Sequence, residues 1–245
     1  MLKRFLKLFK NNQQNSSSPL PEQLLQILQF KPNNPALFQQ VFIPRSAQVK
    51  TPQGVSINYE RLEFLGDAIL GAVISKYLYD KAPEQREGYL TQMRSKIVSR
   101  IHLNEIGREL KLLDYVDKEV KNHYSLSQDI EGDMFEALIG AIYKDKGFYF
   151  TVDFIQRIVI DKYVDIAKME KRISSYKSYM FEWAQKKKIN INFNTVEENN
   201  ADDATIFVST ISLDGEISSK GRGTSKKKAE ETAAKRLYYA YKNKM

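Results

Sequence analysis

Residues 58–70 place carboxylates at helical spacing among apolar residues, a pattern with chemical consequences. A helix here puts Glu60, Glu63, Phe64 and Asp67 on one face, and nearly all the other positions are apolar. This pattern predicts a buried helix, on which carboxylates are costly unless a positive charge compensates them. We therefore expect a divalent cation beside this face. The alternative, a solvated acidic stripe, is disfavoured because leucines and alanines flank the acids where lysines would be expected.

A second acidic pair lies in the helix predicted over residues 129–143, where Asp133 and Glu136 are three residues apart. Together with Glu63 and Asp67 they form an oxygen-rich ligand set, which suits Mg²⁺ or Mn²⁺ rather than zinc. Two such ions, roughly 3.5–4 Å apart, could activate a water and stabilise the leaving oxygen of a phosphodiester. The expected reaction is metal-assisted phosphoryl-ester hydrolysis. Spacing alone leaves an all-helical nucleotide pyrophosphatase open as an alternative.

The composition narrows the chemistry further. The chain of 245 residues contains no cysteine, which excludes a disulfide framework, a thiolate metal site and a cysteine nucleophile. His102 and His123 are its two histidines, so neither a histidine-built metal site nor a Ser-His-Asp triad is expected. Carboxylates therefore remain the groups expected to carry out the chemistry.

The positive charge is concentrated at the two ends of the chain. Residues 171–245 carry 15 Lys and Arg against 9 Asp and Glu, a net of +6, and residues 1–10 add +4 without an acid. Residues 11–170 carry 19 basic and 21 acidic residues, a net of −2. A neutral-to-acidic body with a basic end predicts a polyanionic partner held by that end.

No stretch of eighteen apolar residues is present, so we expect no membrane span and a cytoplasmic protein. The basic, amphipathic residues 1–10 lack the apolar centre of a signal peptide. A transit peptide, a surface-binding helix and a frayed terminus remain open for them.

The periodicity predicts an all-α N-terminal domain followed by a small α+β domain. We expect an extension over residues 1–20, the helical domain over 21–168, a linker over 169–175 and the second domain over 176–245. Asp214-Gly215 is a hairpin signal. The second domain is predicted to run α-β-β-β-α, with helices at 176–187 and 226–241 and strands at 189–196, 205–213 and 216–220.

The start of the last helix has the features of a phosphate-binding site. Ser225 is placed to cap the helix, and Lys226, Lys227 and Lys228 surround its N-terminus, where unpaired N–H groups attract anions. Gly221 and Gly223 are expected to let the preceding loop turn tightly. This arrangement predicts binding to phosphates.

These motifs together resemble the ribonuclease III family. Residues 60–68 (ERLEFLGDA) resemble the family signature, residues 133–141 (DMFEALIGA) its second catalytic motif, and residues 87–94 its intervening helix. The C-terminal part is similar to a double-stranded-RNA-binding domain, whose phosphate-binding helix start matches residues 221–229 (GRGTSKKKA). The resemblance covers roughly residues 20–243, with both domains in the expected order.

The resemblance implies a homodimeric, Mg²⁺-dependent endoribonuclease that cuts both strands of double-stranded RNA and leaves short 3′ overhangs. Mn²⁺ is expected to substitute for Mg²⁺, and ribosomal precursors or messengers are the expected RNA classes. The second domain would read A-form shape over about 16 base pairs. The resemblance implies that four carboxylates bind the metal, namely Glu63, Asp67, Asp133 and Glu136, with Asp67 and Glu136 as the catalytic pair. It implies that Glu60 and Glu87 lie behind these ligands and that Phe64 enters the partner subunit. The residues implied to contact RNA are Ser178, Glu182, Lys226, Lys227 and Lys228.

The sequence departs from the family pattern in three places. Residues 43–46 (IPRS) replace Thr-His-(Arg/Lys)-Ser, Phe181 stands where a polar minor-groove contact is usual, and the loop at 199–203 (NNADD) is acidic and lacks Gly-Pro-x-His. We expect weaker or differently placed RNA contact through that loop. An inert RNA-binding relative is the competing interpretation, but such relatives typically lose metal ligands, and this chain keeps all four.

Overall fold

The computed structural model describes residues 20–117, 121, 130–173, 175–199 and 205–242. The chain divides into two compact units, one ending at Arg172 and the other beginning at Ile173. Each unit is described by itself.

The regular elements of the first unit are helices in its described residues, as predicted, apart from one isolated antiparallel bridge between Lys50 and Ser56. The helices are α1 Glu22–Leu28, α2 Pro35–Gln40, α3 Glu60–Lys81, α4 Glu87–Ile97, α5 Arg100–Glu109, α6 Ile130–Lys146, α7 Phe148–Ile155, α8 Asp161–Tyr163 and α9 Ile166–Lys171. Short 3₁₀ helices occupy Arg45–Ala47 and Leu112–Tyr115, and a π-helical turn spans Gln156–Ile160. The core is built from the apolar faces of α3, α5, α6 and α7, with α1 and α2 packed against them.

Helices α3 and α6 pack backbone against backbone at two glycines. A Cβ atom added at Gly66 would overlap the carbonyl of Glu136, and one added at Gly140 would overlap the carbonyl of Leu62. Side chains larger than hydrogen would therefore force the helices apart. The two acid-bearing helices are thus held at the shortest separation that the backbones allow.

Helix α3 is half exposed, so the expectation of a helix buried all round is wrong. Its inward residues are buried, but Phe64 is 79% exposed, and Asp67, Ala68 and Ala72 are exposed with it. The apolar positions on this outer face are not covered by the described residues of the same chain. An exposed apolar stripe of this kind is typical of a surface that meets another protein.

Helix α5 is attached to α6 through a buried asparagine. The side-chain amide of Asn104 donates to the carbonyl of Arg100 (2.7 Å), and its oxygen accepts from the backbone N–H of Gly132 (2.8 Å). Asn104 is 1% exposed, so both bonds are shielded from water. This contact fixes the start of α5 against the first turn of α6.

The segment before α3 has its own small core. Ile43, Val49 and Ile57 are buried together, and the N–H of Tyr59 donates to the carbonyl of Ile43 (2.9 Å). The atypical residues 43–46 belong to this ordered segment, whose 3₁₀ turn follows Pro44. The change from the family pattern therefore leaves a defined approach to α3.

The end of the first unit is anchored by a buried lysine. The ammonium group of Lys96 donates to the carbonyls of Met169 (3.0 Å) and Glu170 (2.9 Å), which lie in the last turn of α9. A cation at a helix C-terminus compensates the partial negative charge there. Residues 169–171 of the expected linker lie within this helix.

The second unit has the predicted α-β-β-β-α order. The elements are α10 Tyr176–Lys187, β1 Ile191–Asn199, β2 Thr205–Leu213, β3 Glu216–Gly223 and α11 Lys226–Tyr241. The three antiparallel strands lie in the order β1-β2-β3 and pack on the two helices, and the core between them includes Met180, Trp183, Ile211 and Leu237.

Gly221 and Gly223 serve close packing rather than the tight turn expected from the sequence. Both lie in β3, and neither has a positive φ. A Cβ atom at Gly221 would overlap the backbone at Ala233, and one at Gly223 would lie 2.5 Å from the N–H nitrogen of Ala229. The glycines therefore let α11 approach β3, which fixes the position of the lysine-rich helix start.

Candidate active site and RNA-binding surface

A cavity of about 570 Å³ opens between α3, α5 and α6 in the first unit. Its lining combines five carboxylates and one guanidinium with apolar side chains. The charged lining residues are Glu60, Glu63, Asp67, Arg100, Asp133 and Glu136, and the apolar ones include Phe64, Val98 and Leu103.

Three of the four expected ligands form a compact cluster. Glu63, Asp133 and Glu136 each offer a carboxylate oxygen, and the three atoms lie within 4.8 Å of one another. All three side chains are partly buried. Clustered carboxylate oxygens fit a hard divalent cation, and the donor set contains neither sulfur nor imidazole.

The carboxylates strongly perturb one another. Burial raises the pKa of Glu63 to about 7, with a further contribution from the charge of Asp133. Burial raises the pKa of Glu136 to about 8, and the charges of Asp67, Glu63 and Asp133 add to the effect. Such shifts indicate negative charge that the protein alone does not neutralise.

The remaining predicted residues of the first unit are spread around this cluster. Asp67 lines the cavity and is exposed, and it lies outside the group of three within 4.8 Å. Glu60 also lines the cavity, whereas Glu87 begins α4, accepts a hydrogen bond from Thr91 (2.7 Å) and is not among the lining residues. Phe64 is on the cavity rim.

Sequence reasoning missed Arg100. Its guanidinium lies 3.6 Å from an oxygen of Asp133, and its charge lowers the pKa values of both Glu63 and Glu136. Ser99 caps α5 by accepting from the N–H of His102, so a cap signal marked the helix start. Nothing in the spacing indicates that this start meets the acidic helices, because the contact depends on Asn104 and on tertiary packing.

In the second unit, the predicted RNA contacts are exposed. Ser178 and Glu182 lie on the outer face of α10, and Lys226, Lys227 and Lys228 occupy the first turn of α11. Ser225 caps α11 by accepting from the N–H of Lys228 (3.3 Å). Three cations thus surround a helix N-terminus whose own dipole attracts anions.

Helix α10 is oriented by acids of α11 that the sequence did not single out. The carboxylate of Glu231 accepts from the hydroxyl of Ser175 (3.0 Å) and from the N–H of Lys177 (3.3 Å). The neighbouring Glu230 pairs with the ammonium group of Lys177 at 2.6 Å. These bonds hold the N-terminus of α10 against α11, so the two sets of candidate RNA contacts keep a fixed spacing.

Phe181 has a packing role that explains its departure from the expected polar residue. Its ring stacks on that of Phe193 in β1, with centroids 5.1 Å apart and planes at 23°. It therefore covers the sheet, although 41% of it remains exposed. The acidic loop departure lies outside the described residues except for Asn199, which ends β1.

None of the helices in the described residues combines the length and the apolarity that a membrane crossing requires.

Replacing Glu136 by glutamine is expected to stabilise the chelator-treated protein at alkaline pH. The folded-state pKa of about 8 exceeds the ordinary value of 4.5, so the folded protein binds the Glu136 proton more tightly than the unfolded chain does. The resulting contribution to the free energy of unfolding is fully present below pH 4.5 and is lost as the pH rises to about 8. The variant should therefore melt higher than the wild type at pH 8.5 by a few degrees, since 1 kcal/mol corresponds to about 2–4 °C. At pH 4.5 the difference should vanish.

Thermal unfolding of both proteins across this pH range measures the effect. Glu84→Gln, which removes an exposed acid outside the cavity, serves as the control and should show no such gap. A gap of equal size at both pH values would contradict the electrostatic explanation.

Comparison with known proteins identifies a family for each of the two units. The profile described as "Ribonuclease III domain" matches residues 60–147, and "Double-stranded RNA binding motif" matches residues 176–238. The chain is 49% identical over 222 residues to "Ribonuclease 3" of Zunongwangia profunda, covering 91% of each chain. It is 43% identical over 239 residues to the protein of that name from Flavobacterium psychrophilum, covering 98% of this chain and 97% of that one.

Solved structures give the same result for the first unit. The nuclease domain of ribonuclease III from Campylobacter jejuni is similar with a TM-score of 0.52 and 30% identity, covering 61% of this chain and 99% of that one. Another structure of that domain has a TM-score of 0.51 and 31% identity, covering 58% of this chain and 97% of that one. It is described as showing structural flexibility in a region involved in dimer formation. The chain belongs to the ribonuclease III family of double-strand-specific endoribonucleases.

Proposed function

We propose that this endoribonuclease hydrolyses phosphodiester bonds of duplex RNA with Mg²⁺ held by Glu63, Asp67, Asp133 and Glu136. The observation that carries the proposal is the group of three carboxylates within 4.8 Å, set in a cavity of the unit that matches the ribonuclease III domain. The second unit matches a double-stranded-RNA-binding motif, so a duplex is the substrate class.

Dependence on a divalent metal follows from the family and from the acidic cluster. Mg²⁺ is the proposed ion, with Mn²⁺ as a substitute, because all the candidate ligands are carboxylates. The carboxylates of Glu63, Asp133 and Glu136 would hold such an ion, which would supply Lewis-acid chemistry for the activation of water and for the charge on the reacting phosphate.

The protein groups divide into those at the reacting centre and those behind it. Asp67 and Glu136 are the proposed catalytic pair, since the charge of Asp67 is the largest Coulombic contribution raising the pKa of Glu136. Glu60 is held by Arg45 at 3.8 Å and lies beside Glu63 on the cavity wall, where it supports the ligand set. Glu87 is proposed to act from α4 at a greater distance.

The second unit is proposed to hold the duplex by its backbone. Lys226, Lys227 and Lys228 bind phosphates, while Ser178 and Glu182 on α10 face the minor groove. Recognition by shape rather than base sequence follows from these contacts, because phosphates and 2′-hydroxyls are shared by all sequences. Phe181 contributes packing beneath α10 instead of a polar contact.

A homodimer through the first unit is supported by the outer face of α3. Phe64 is 79% exposed and is followed along the helix by exposed Ala68 and Ala72. Two copies joined through this face would carry two cavities and cut both strands, leaving short 3′ overhangs. The Campylobacter jejuni domain has a region described as involved in dimer formation.

Processing of ribosomal precursors and messengers is the proposed role, with the cytoplasm as its compartment. An inert RNA-binding relative is disfavoured because the chain retains all four acids. A nucleotide pyrophosphatase would have no use for the RNA-binding motif at residues 176–238.

Replacing Glu136 by alanine should abolish cleavage while leaving duplex binding intact. The loss should reach about 10³-fold, because a metal site contributes several kcal/mol of charge stabilisation and each 1.36 kcal/mol is tenfold in rate. Cleavage of long duplex RNA, single-stranded RNA and nucleoside triphosphates with Mg²⁺, alongside a gel-shift titration, provides the measurement. If the wild type leaves duplex RNA uncut, the proposed function is wrong, and loss of binding in the variant would show that Glu136 has another role.

Changing Lys226 and Lys227 together to alanine should weaken duplex binding and lower its salt dependence. Each phosphate contact removed should reduce the slope of log affinity against log salt by about 1. Titrations at several salt concentrations measure the slope. The matched control is Lys186→Ala/Lys187→Ala, which removes the same charge from exposed positions in the last turn of α10. Equal slopes for the two double variants would contradict the assignment of Lys226 and Lys227 to phosphate binding.

Replacing Phe64 by alanine should weaken the dimer without unfolding the monomer, because the ring has few contacts within its own chain. Central aromatic residues of interfaces contribute about 2–4 kcal/mol. The dissociation constant of the dimer should therefore rise by about 30-fold or more. Sedimentation velocity over a concentration series measures the change. Tyr149→Ala, at the 88% exposed position in α7, is the comparison; a larger effect there would place the interface on α7.

A further inference from the structure

Arg100 is the positively charged side chain among the described residues that line the cavity. One of its terminal nitrogens lies 3.6 Å from Asp133 Oδ1, too far for a tight hydrogen bond but close enough for a strong charge interaction. The Arg100 side chain is 62% exposed, whereas that of Asp133 is 20% exposed. The guanidinium can therefore change its position at little cost, and the carboxylate cannot.

The backbone of Arg100 is fixed even though its side chain is not. The buried Asn104 bonds both the carbonyl of Arg100 and the N–H of Gly132, which directly precedes Asp133. A Cβ atom on Gly132 would meet Asn104 at 3.3 Å, so the junction is closely packed. Arg100 thus has a fixed backbone and an exposed guanidinium that can change its position beside the carboxylate cluster.

Two cations require the same carboxylate. Asp133 belongs to the group of three that fits a divalent ion, and it is also the partner of Arg100. A divalent ion close to Asp133 would repel the guanidinium and take over its electrostatic role. Arg100 would then need another anion, and under the proposed function a phosphate of the duplex is the anion that would enter this cavity.

Resting on the proposed function, we propose that Arg100 is a positioning residue that exchanges Asp133 for a phosphate of duplex RNA when a divalent ion binds the cluster. The planar guanidinium matches phosphate geometry with two parallel donors, and its charge does not depend on pH. Its fixed backbone would aim the phosphate at Glu63 and Glu136. Arg100 thereby couples occupation of the carboxylates to alignment of the substrate.

The test uses the full chain with Arg100→Gln, Arg100→Lys and, as control, Arg108→Gln. Arg108 lies on the same helix and pairs with Glu131 of α6 at 3.8 Å, but neither residue lines the cavity. Two quantities are measured: the affinity of chelator-treated protein for Mn²⁺ by calorimetry without RNA, and the single-turnover cleavage rate at saturating Mg²⁺ and duplex.

Arg100→Gln should bind Mn²⁺ about 3–10-fold more tightly, because the competing cation is gone, yet cleave about 10–100-fold more slowly. Arg100→Lys should restore the Mn²⁺ affinity and part of the rate, and Arg108→Gln should match the wild type in both. Unchanged or weaker Mn²⁺ binding in Arg100→Gln would overturn the exchange, and so would an unchanged cleavage rate. A wild type that neither binds Mn²⁺ nor cuts RNA would instead contradict the proposed function itself.

Discussion

The contact between the backbones of α3 and α6 is the constraint on which the first unit depends. Gly66 and Gly140 remove the side chains that would otherwise separate the helices. Glu63 and Glu136, each within four residues of one of these glycines, are brought into one cluster as a result. The acidic motifs therefore specify more than carboxylates, because the glycines embedded in them set the distance between the carboxylate-bearing helices.

Close packing of these helices has an electrostatic cost. Burial and mutual repulsion raise the pKa values of Glu63 to about 7 and of Glu136 to about 8, which means that the folded protein holds negative charge unfavourably near neutral pH. The same unfavourable charge favours a divalent ion. Stability of the chain alone is thus given up for affinity toward a cation, a trade-off common at functional sites.

Local signals in the sequence predicted the second unit well. Helices at Tyr176–Lys187 and Lys226–Tyr241 and the strand at Thr205–Leu213 have the predicted bounds, since caps, alternation and the turn at Asp214 are encoded locally. Features that depend on tertiary contact were not predictable in this way. Arg100 contacts Asp133 across two helices that Asn104 joins. The close approach of α11 to β3 at Gly221 and Gly223 likewise has no local signature, so the sequence predicts a tight turn there instead.

Phe64 belongs to two surfaces of α3. It lines the cavity and is also a large, 79% exposed apolar side chain on the outer face of the helix. An apolar ring on the edge of an acidic site gains from being covered, because burial removes it from water and excludes water from the carboxylates beside it. A partner subunit that covered Phe64 would therefore also close one side of the cavity. A partner bound at this surface would therefore also change the electrostatic environment of the clustered carboxylates.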